Sequence, residues 1–220
     1  MKSFLALAGL IGLSSAHFKL KYPESIGFAD AKEDQGPCGG FTPDLSGDLV
    51  DFHVGGEALA MRMTHPQCKW LFRVTTDEKA ESGWEQIYPI VMQSGLGDFC
   101  IPQVTVPEKY VGKKGIVSIV SSAMDGLLYQ CVAANFVNGT QSAPSECTNA
   151  TITASFVSDD QLSGLVGEGA TSTGEGSGTK PSSESSPSPS SGAEALGLTG
   201  AVGSIAMVVG LAAVAGIAVV

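Results

Sequence analysis

Hydrophobic and polar residues alternate along several short stretches of this chain, separated by glycine and proline. In Ala58–His65 every second side chain lies on one face, which carries Leu59, Met61 and Met63. Cys68–Thr75 alternates in the same way. Ile116–Ser122 and Leu127–Val137 are rich in β-branched or apolar residues and are predicted to be strands, as is Thr151–Val157. The segment Asp77–Met92 fits either a short helix or a long loop. Many short strands with turns between them predict an all-β fold, an antiparallel β-sandwich of the immunoglobulin or fibronectin type.

The composition of the two ends restricts the folding domain to His17–Val157. Residues 1–16 combine Lys2, an apolar run and small residues before Ala16, as in a secretory signal peptide. Residues 158–195 are rich in Ser, Gly, Pro and Thr, and cannot bury enough apolar surface to form a core. We therefore expect a single β-sandwich domain followed by a disordered C-terminal stalk.

The apolar residues 196–220 have the composition of a membrane span, but no Lys or Arg follows them. A small-residue cluster that contains Ser191 and Gly192 precedes them. This order is typical of a GPI-attachment signal, which is removed after Ser191 or Gly192 receives the anchor. The alternative is a retained single membrane span. The GPI interpretation places the protein on the extracellular face of the plasma membrane, or in the cell wall.

Charge and glycosylation motifs also indicate a secreted protein. The formal net charge of −10 argues against nucleic acid as a partner. Asn138 and Asn149 each begin an N-glycosylation sequon. The sequence lacks the Gly-x-Ser-x-Gly, His-Glu-x-x-His, phosphate-loop and dinucleotide-binding motifs, which weakens most hydrolase and nucleotide-binding interpretations.

Cleavage after Ala16 would make His17 the first residue of the mature protein. An N-terminal histidine can bind one metal ion through both its α-amine and its imidazole Nδ1. A second imidazole would complete a three-nitrogen set of the kind that suits copper(II). The alternatives are that histidine follows the cut by chance, or that the cut lies elsewhere.

Of the three histidines, His65 and His53 compete for the second imidazole position. His65 ends a predicted strand directly before Pro66, so we expect it at the rim of the sandwich. His53 precedes a glycine pair and fits an ordinary strand or surface histidine. We therefore favour His65. The alternative is a histidine that only forms a hydrogen bond at a strand end.

Four segments resemble, in their order, the fungal copper acquisition factor family: His17-Phe18-x-Leu20-x-Tyr22-Pro23, Pro37-Cys38-Gly39-Gly40-Phe41, Thr64-His65-Pro66 and Met124-Asp125-Gly126-Leu127-Leu128-Tyr129-Gln130-Cys131. Phe99-Cys100-Ile101-Pro102 also belongs to the pattern. The family consists of GPI-anchored, copper-binding relatives of lytic polysaccharide monooxygenases that lack the oxidative activity. The resemblance extends over nearly all of His17–Val157.

This resemblance implies one copper ion, bound by His17, His65 and Asp125. Asp125 precedes Gly126 at a predicted turn between two strands, from which its carboxylate can reach the rim. Without the family pattern, an ordinary turn aspartate would be the better interpretation. Met61, Met63 and Met124 could add soft thioether ligands for copper(I), but an inward-facing methionine more often fills the core.

The five cysteines leave one thiol over if the others form disulfides. Under the resemblance we expect Cys38–Cys147 and Cys100–Cys131, with Cys68 unpaired. If Cys68 is paired instead, one of these two bridges is wrong.

The resemblance implies a non-enzymatic protein that captures copper at the cell surface and passes it to an uptake system, such as a plasma-membrane copper transporter. One alternative is a copper-dependent lytic polysaccharide monooxygenase, which uses the same N-terminal histidine arrangement. Another is a structural cell-wall or adhesion domain in which His17 has no role.

Overall fold

The computed structural model describes residues 17–167, which form nine β-strands and little helix. The strands are β1 (Phe18–Tyr22), β2 (Val50–His53), β3 (Glu57–Met63), β4 (Gln67–Thr75), β5 (Glu85–Ser94), β6 (Gly97–Val104), β7 (Lys114–Ala123), β8 (Gly126–Val137) and β9 (Thr153–Phe156). Short 3₁₀ turns occupy Asp30–Lys32 and Glu108–Tyr110, and one α-helical turn, α1, occupies Asp160–Ser163.

The strands form two sheets. The first has three strands in the order β1-β3-β6, and the second has six in the order β2-β8-β7-β4-β5-β9. All strand pairs are antiparallel except β2 with β8, which is parallel. The predicted all-β, sandwich-like fold is therefore confirmed.

The core lies between the sheets and follows the alternation seen in the sequence. Met61 on β3 and Trp70 on β4 are fully buried. The Trp70 ring contacts Phe18 from β1 at 5.1 Å and Phe99 from β6 at 6.5 Å between ring centroids. These contacts hold the first strand, and with it the residue that precedes it, firmly against the second sheet.

Three strands differ from expectation. The segment Asp77–Met92 is neither helix nor a continuous loop, because its second half is β5. The short strand β2 and the edge strand β6, which contains Pro102, were not predicted. Proline is tolerated in β6 because an edge strand needs fewer ladder hydrogen bonds.

The folded part continues beyond Val157. Leu162 of α1 is fully buried, and the backbone carbonyl of Leu165 accepts a 2.7 Å hydrogen bond from Arg73 Nη1. Residues 158–167, which composition assigns to the stalk, therefore pack on the domain. The predicted signal peptide, the rest of the predicted stalk and the predicted GPI-attachment signal, with Ser191 and Gly192, lie outside the described residues. Within residues 17–167, no helix combines the length and the apolar character needed to cross a membrane.

Both expected disulfide pairings are wrong: the bridges are Cys38–Cys131 and Cys100–Cys147. The reason is strand alternation. Val132, which follows Cys131 on β8, points into the core between the sheets. Phe99, which precedes Cys100 on β6, points into the same core. Cys100 and Cys131 thus face outward from different sheets, with the core between them.

Cys68 is the unpaired cysteine, as expected. Its side chain is buried in the core on β4, and burial raises the pKa of its thiol to about 12. The thiol therefore stays protonated and unreactive in the folded domain.

Candidate metal centre

His17 is fixed at one end of the three-stranded sheet. Because Phe18 pairs with Met63, His17 lies opposite Thr64, one residue beyond the end of β3. The His17 backbone nitrogen donates to Thr64 Oγ1 at 2.9 Å, and that hydroxyl donates to the His17 carbonyl at 2.8 Å. The threonine before His65 therefore holds both backbone polar groups of the first described residue.

The His17 ring is oriented by the chain near the first 3₁₀ turn. Its Nε2 lies 3.0 Å from the backbone carbonyl oxygen of Asp30. A carbonyl oxygen can only accept a hydrogen bond, so Nε2 carries the hydrogen. In the neutral ring the lone pair is then on Nδ1, the nitrogen that can chelate a metal together with the α-amine.

His65 and Asp125 come together from two different turns. His65 lies in the turn between β3 and β4, and Asp125 lies in the tight turn between β7 and β8. Lys69 on β4 pairs with Ser122 on β7, so the two turns are at the same end of the molecule. His65 Nε2 is 2.9 Å from Asp125 Oδ1.

This contact is close enough for an ion pair, yet the buried Nε2 of His65 has no hydrogen-bond partner among the described residues. The two atoms are therefore close together, but the ring N–H direction does not point at the carboxylate oxygen, as a hydrogen bond requires. Nitrogen and oxygen ligands lie about 2.0–2.2 Å from a first-row ion such as zinc, so two ligands at right angles are about 2.9 Å apart. The spacing of His65 Nε2 and Asp125 Oδ1 therefore fits two ligands of one ion.

The structure brings two of the three predicted ligands into direct contact and places His17 beside the chain neighbour of His65. Within residues 17–167, no group of three or more His, Cys, Asp or Glu side chains forms a metal site.

A buried polar network supports β1 beneath the candidate centre. Gln130 Nε2 donates to the Phe18 carbonyl at 2.7 Å and to Glu33 Oε1 at 2.8 Å, while Gln130 Oε1 accepts from the Leu20 N–H at 3.1 Å. Burial raises the pKa of Glu33 to about 7, against the opposing influences of Gln130 and His17. Thr64, Glu33 and Gln130 were not identified as supporting residues from sequence. The position of Thr64 beside His65 was the one available signal.

His53 lies at the opposite end of β3 from His65. Its Nδ1 is 2.7 Å from Oε2 of Glu57, a fully buried carboxylate that also accepts from the Tyr22 hydroxyl at 2.9 Å. Seven residues of β3 separate the two ends, a distance of about 20 Å. His53 and Asp125 therefore cannot bind the same ion.

The three methionines considered as ligands have different environments. Met61 and Met63 are buried in the core, with 0% and 1% exposure. Met124 lies in the same turn as Asp125 and is 90% exposed. The core interpretation therefore holds for Met61 and Met63 and fails for Met124.

The two glycosylation sequons lie on the surface. Asn138 is exposed in the turn after β8. Asn149 is also exposed as a residue, and its Oδ1 accepts a 2.9 Å hydrogen bond from the Cys100 backbone. Modification of either asparagine stays a prediction.

Comparison with known proteins gives a family assignment. Residues 15–152 match the family described as "Copper acquisition factor BIM1-like". The chain is 28% identical over 160 residues to the lytic polysaccharide monooxygenase-like protein X325 of Yarrowia lipolytica, covering 68% of this chain and 60% of that protein. It is 29% identical over 156 residues to an uncharacterized protein of Aspergillus fumigatus, covering 67% of this chain and 63% of that protein. The chain thus spans less than two thirds of the length of either relative.

The family match covers well over half of the 220 residues and includes all three candidate ligands, so the chain belongs to the copper acquisition factor BIM1-like family.

Proposed function

We propose that this protein binds one copper(II) ion through the α-amine and Nδ1 of His17, Nε2 of His65 and the carboxylate of Asp125, and captures copper at the cell surface. One observation carries this proposal: the buried Nε2 of His65 lies 2.9 Å from Asp125 Oδ1 without forming a hydrogen bond. A buried nitrogen without a hydrogen bond is costly unless another ligand satisfies it.

The chemistry of the donor set favours copper(II). Three nitrogen donors, two of them from a single residue, suit a tetragonal copper(II) site. The Asp125 carboxylate adds a negative charge, which further stabilises the divalent ion. Since the amine and both rings bind in their deprotonated forms, copper affinity decreases in acid.

The proposed location follows from the ends of the chain. A secretory signal would expose His17 by cleavage, and a GPI anchor attached at Ser191 or Gly192 would hold the domain on the extracellular face of the plasma membrane or within the cell wall. A plasma-membrane copper transporter would be the natural recipient of the captured ion.

We propose that copper binding is not coupled to oxidative cleavage of polysaccharide. The Asp125 carboxylate would occupy a coordination position that oxygen activation requires, and its charge would stabilise the oxidised ion. The monooxygenase alternative rests on the similarity to the lytic polysaccharide monooxygenase-like protein of Yarrowia lipolytica and on the N-terminal histidine arrangement that such enzymes use.

Competition for copper(II) between the secreted protein and a chromophoric chelator tests the binding site. His65→Gln should weaken binding about a hundredfold or more, whereas the matched substitution His53→Gln should leave it within about twofold. Thermal melting checks that both variants are folded. Equal affinities of His65→Gln and the unaltered protein would refute the site.

A second assay separates capture from catalysis. The copper-loaded protein is incubated with cellulose, chitin or xylan and a reductant, and the products are analysed by mass spectrometry. We expect no oxidised oligosaccharides. Their appearance, and their loss in His65→Gln, would establish the monooxygenase alternative. Absence of any copper affinity in the unaltered protein would favour a structural or adhesion domain.

A further inference from the structure

Met124 has an unusual environment for a methionine. It is 90% exposed in the turn between β7 and β8, whereas Met61 and Met63 are completely buried. Methionine is normally used to fill irregular gaps in a core, because its side chain is apolar and flexible. The almost fully exposed Met124 gains little from packing, and its thioether is accessible from solvent.

The turn places Met124 directly beside the candidate centre. Ala123 pairs with Gly126, so Met124 and Asp125 are the two residues that connect the strands. Consecutive Cα atoms are about 3.8 Å apart, and Asp125 Oδ1 is itself 2.9 Å from His65 Nε2. Because the Met124 side chain is exposed, it can change rotamer without breaking core contacts.

The two turn residues offer ligands of opposite chemical character. The Asp125 carboxylate is a hard oxygen donor suited to copper(II), whereas a thioether is a soft donor that favours copper(I). We propose, on the basis of the proposed copper(II) site, that the Met124 thioether binds copper(I) together with the His65 imidazole. The same end of the molecule would then accept copper in either oxidation state, with Asp125 used for one and Met124 for the other.

Cys68 is the other soft donor near His65 in the sequence, but it is unsuited to this role. Its side chain is 2% exposed and belongs to the same core cluster as Trp70 and Phe72. Burial raises the pKa of its thiol to about 12, so the thiolate needed for copper binding is disfavoured. Of these two sulfur-containing side chains, Met124 is therefore the one accessible to a metal ion at the candidate centre.

The test compares copper(I) and copper(II) affinities of Met124→Leu with those of Met92→Leu, a matched change on β5. Copper(I) is supplied anaerobically with ascorbate and a copper(I)-specific chelator as competitor. We expect Met124→Leu to weaken copper(I) binding about tenfold and to change copper(II) binding less than about twofold. Met92→Leu should change neither affinity.

X-ray absorption of the copper(I) form provides a readout that does not depend on affinity. Sulfur scattering should be present in the unaltered protein and absent in Met124→Leu. Unchanged copper(I) affinity in Met124→Leu, or sulfur scattering that persists in this variant, would overturn the assignment of Met124. If the unaltered protein does not bind copper(II) at all, the proposed function is refuted instead, so the two failures are distinct.

Discussion

His65, in the turn between β3 and β4, and Asp125, in the turn between β7 and β8, lie 2.9 Å apart, measured from the imidazole Nε2 to a carboxylate oxygen. Neither side chain is fully exposed: the side-chain exposures are 13% for His65 and 31% for Asp125. A partly buried imidazole and carboxylate at this separation provide a nitrogen and an oxygen donor for one cation.

Replacing Asp125 by Asn tests the contribution of its charge. The substitution keeps the shape of the side chain but removes the negative charge, so copper(II) affinity should fall about tenfold or more. Asp51→Asn is the control, because Asp51 is exposed on β2 and bonds only Asn135 among the described residues. Unchanged affinity in Asp125→Asn would show that the carboxylate is not a ligand.

The pKa of Glu33 predicts how stability depends on pH. Burial raises this pKa from 4.5 to about 7, so the folded protein keeps a proton that the unfolded chain loses between these values. The free energy of unfolding should therefore fall as pH rises from 4.5 to 7, and level off above that range.

Glu33→Gln mimics the protonated carboxyl and should reduce the pH dependence of the free energy of unfolding. Relative to the unaltered protein, the variant should be most stabilised at pH values above the raised pKa of Glu33. Urea denaturation of the metal-free protein across this range measures the effect. Glu108→Gln, a change at an exposed position, is the control. Parallel stability curves for Glu33→Gln and the unaltered protein would contradict the assignment.

The Cys38–Cys131 bridge should contribute strongly to stability because it joins residues 93 positions apart. Loss of a cross-link that closes so long a loop costs about 4–5 kcal/mol in the chain-entropy description. The double variant Cys38→Ala/Cys131→Ala should show this loss in urea denaturation. Peptide mapping of the unaltered protein without reduction should recover the Cys38–Cys131 and Cys100–Cys147 pairs, and a Cys100–Cys131 peptide would contradict the structure.

Much of the fold follows from local residue patterns. Alternation identified β3 and β4, and richness in β-branched or apolar residues identified β7 and β8; β9 was also predicted, and all five strands show small shifts at their ends. Alternation describes one strand at a time, so it could not reveal the parallel partner of β2 or the sheet to which each cysteine belongs. The disulfide prediction failed for this reason: pairing depends on which sheet and which face each strand contributes.

The sequence predicted the two turn residues of the candidate centre but not the residues that support it. His65 was predicted to end a strand at the rim, and it lies two residues beyond β3, in the turn before β4. Asp125 was predicted at a turn beside Gly126 and lies in one. Glu33 and Gln130 could not be recognised, since a buried polar pair is defined by contacts between residues far apart in the chain. The stretch after Val157 was misjudged because its average composition conceals Leu162, which packs into the domain.

The position of Leu162 predicts where the stable domain ends. A chain that ends at Val157 exposes the surface that Leu162 covers, and removes the Leu165 carbonyl from the buried Arg73. Compared with a chain that ends at Gly167, it should lose about 2 kcal/mol or more of unfolding free energy. Chemical denaturation of the two truncated chains measures the difference, and equal stability would place the boundary at Val157.

The central claim is that copper(II) is bound by an N-terminal histidine, and the most direct test is to move its amine. Two forms of the secreted protein are compared after N-terminal sequencing, one beginning at His17 and one with a single glycine added before it. The form that begins at His17 should bind copper(II) tightly, and the extended form should lose about a hundredfold or more in affinity, because its amine no longer shares a chelate ring with the His17 imidazole. Equal affinity of the two forms, measured by chelator competition, would contradict the claim.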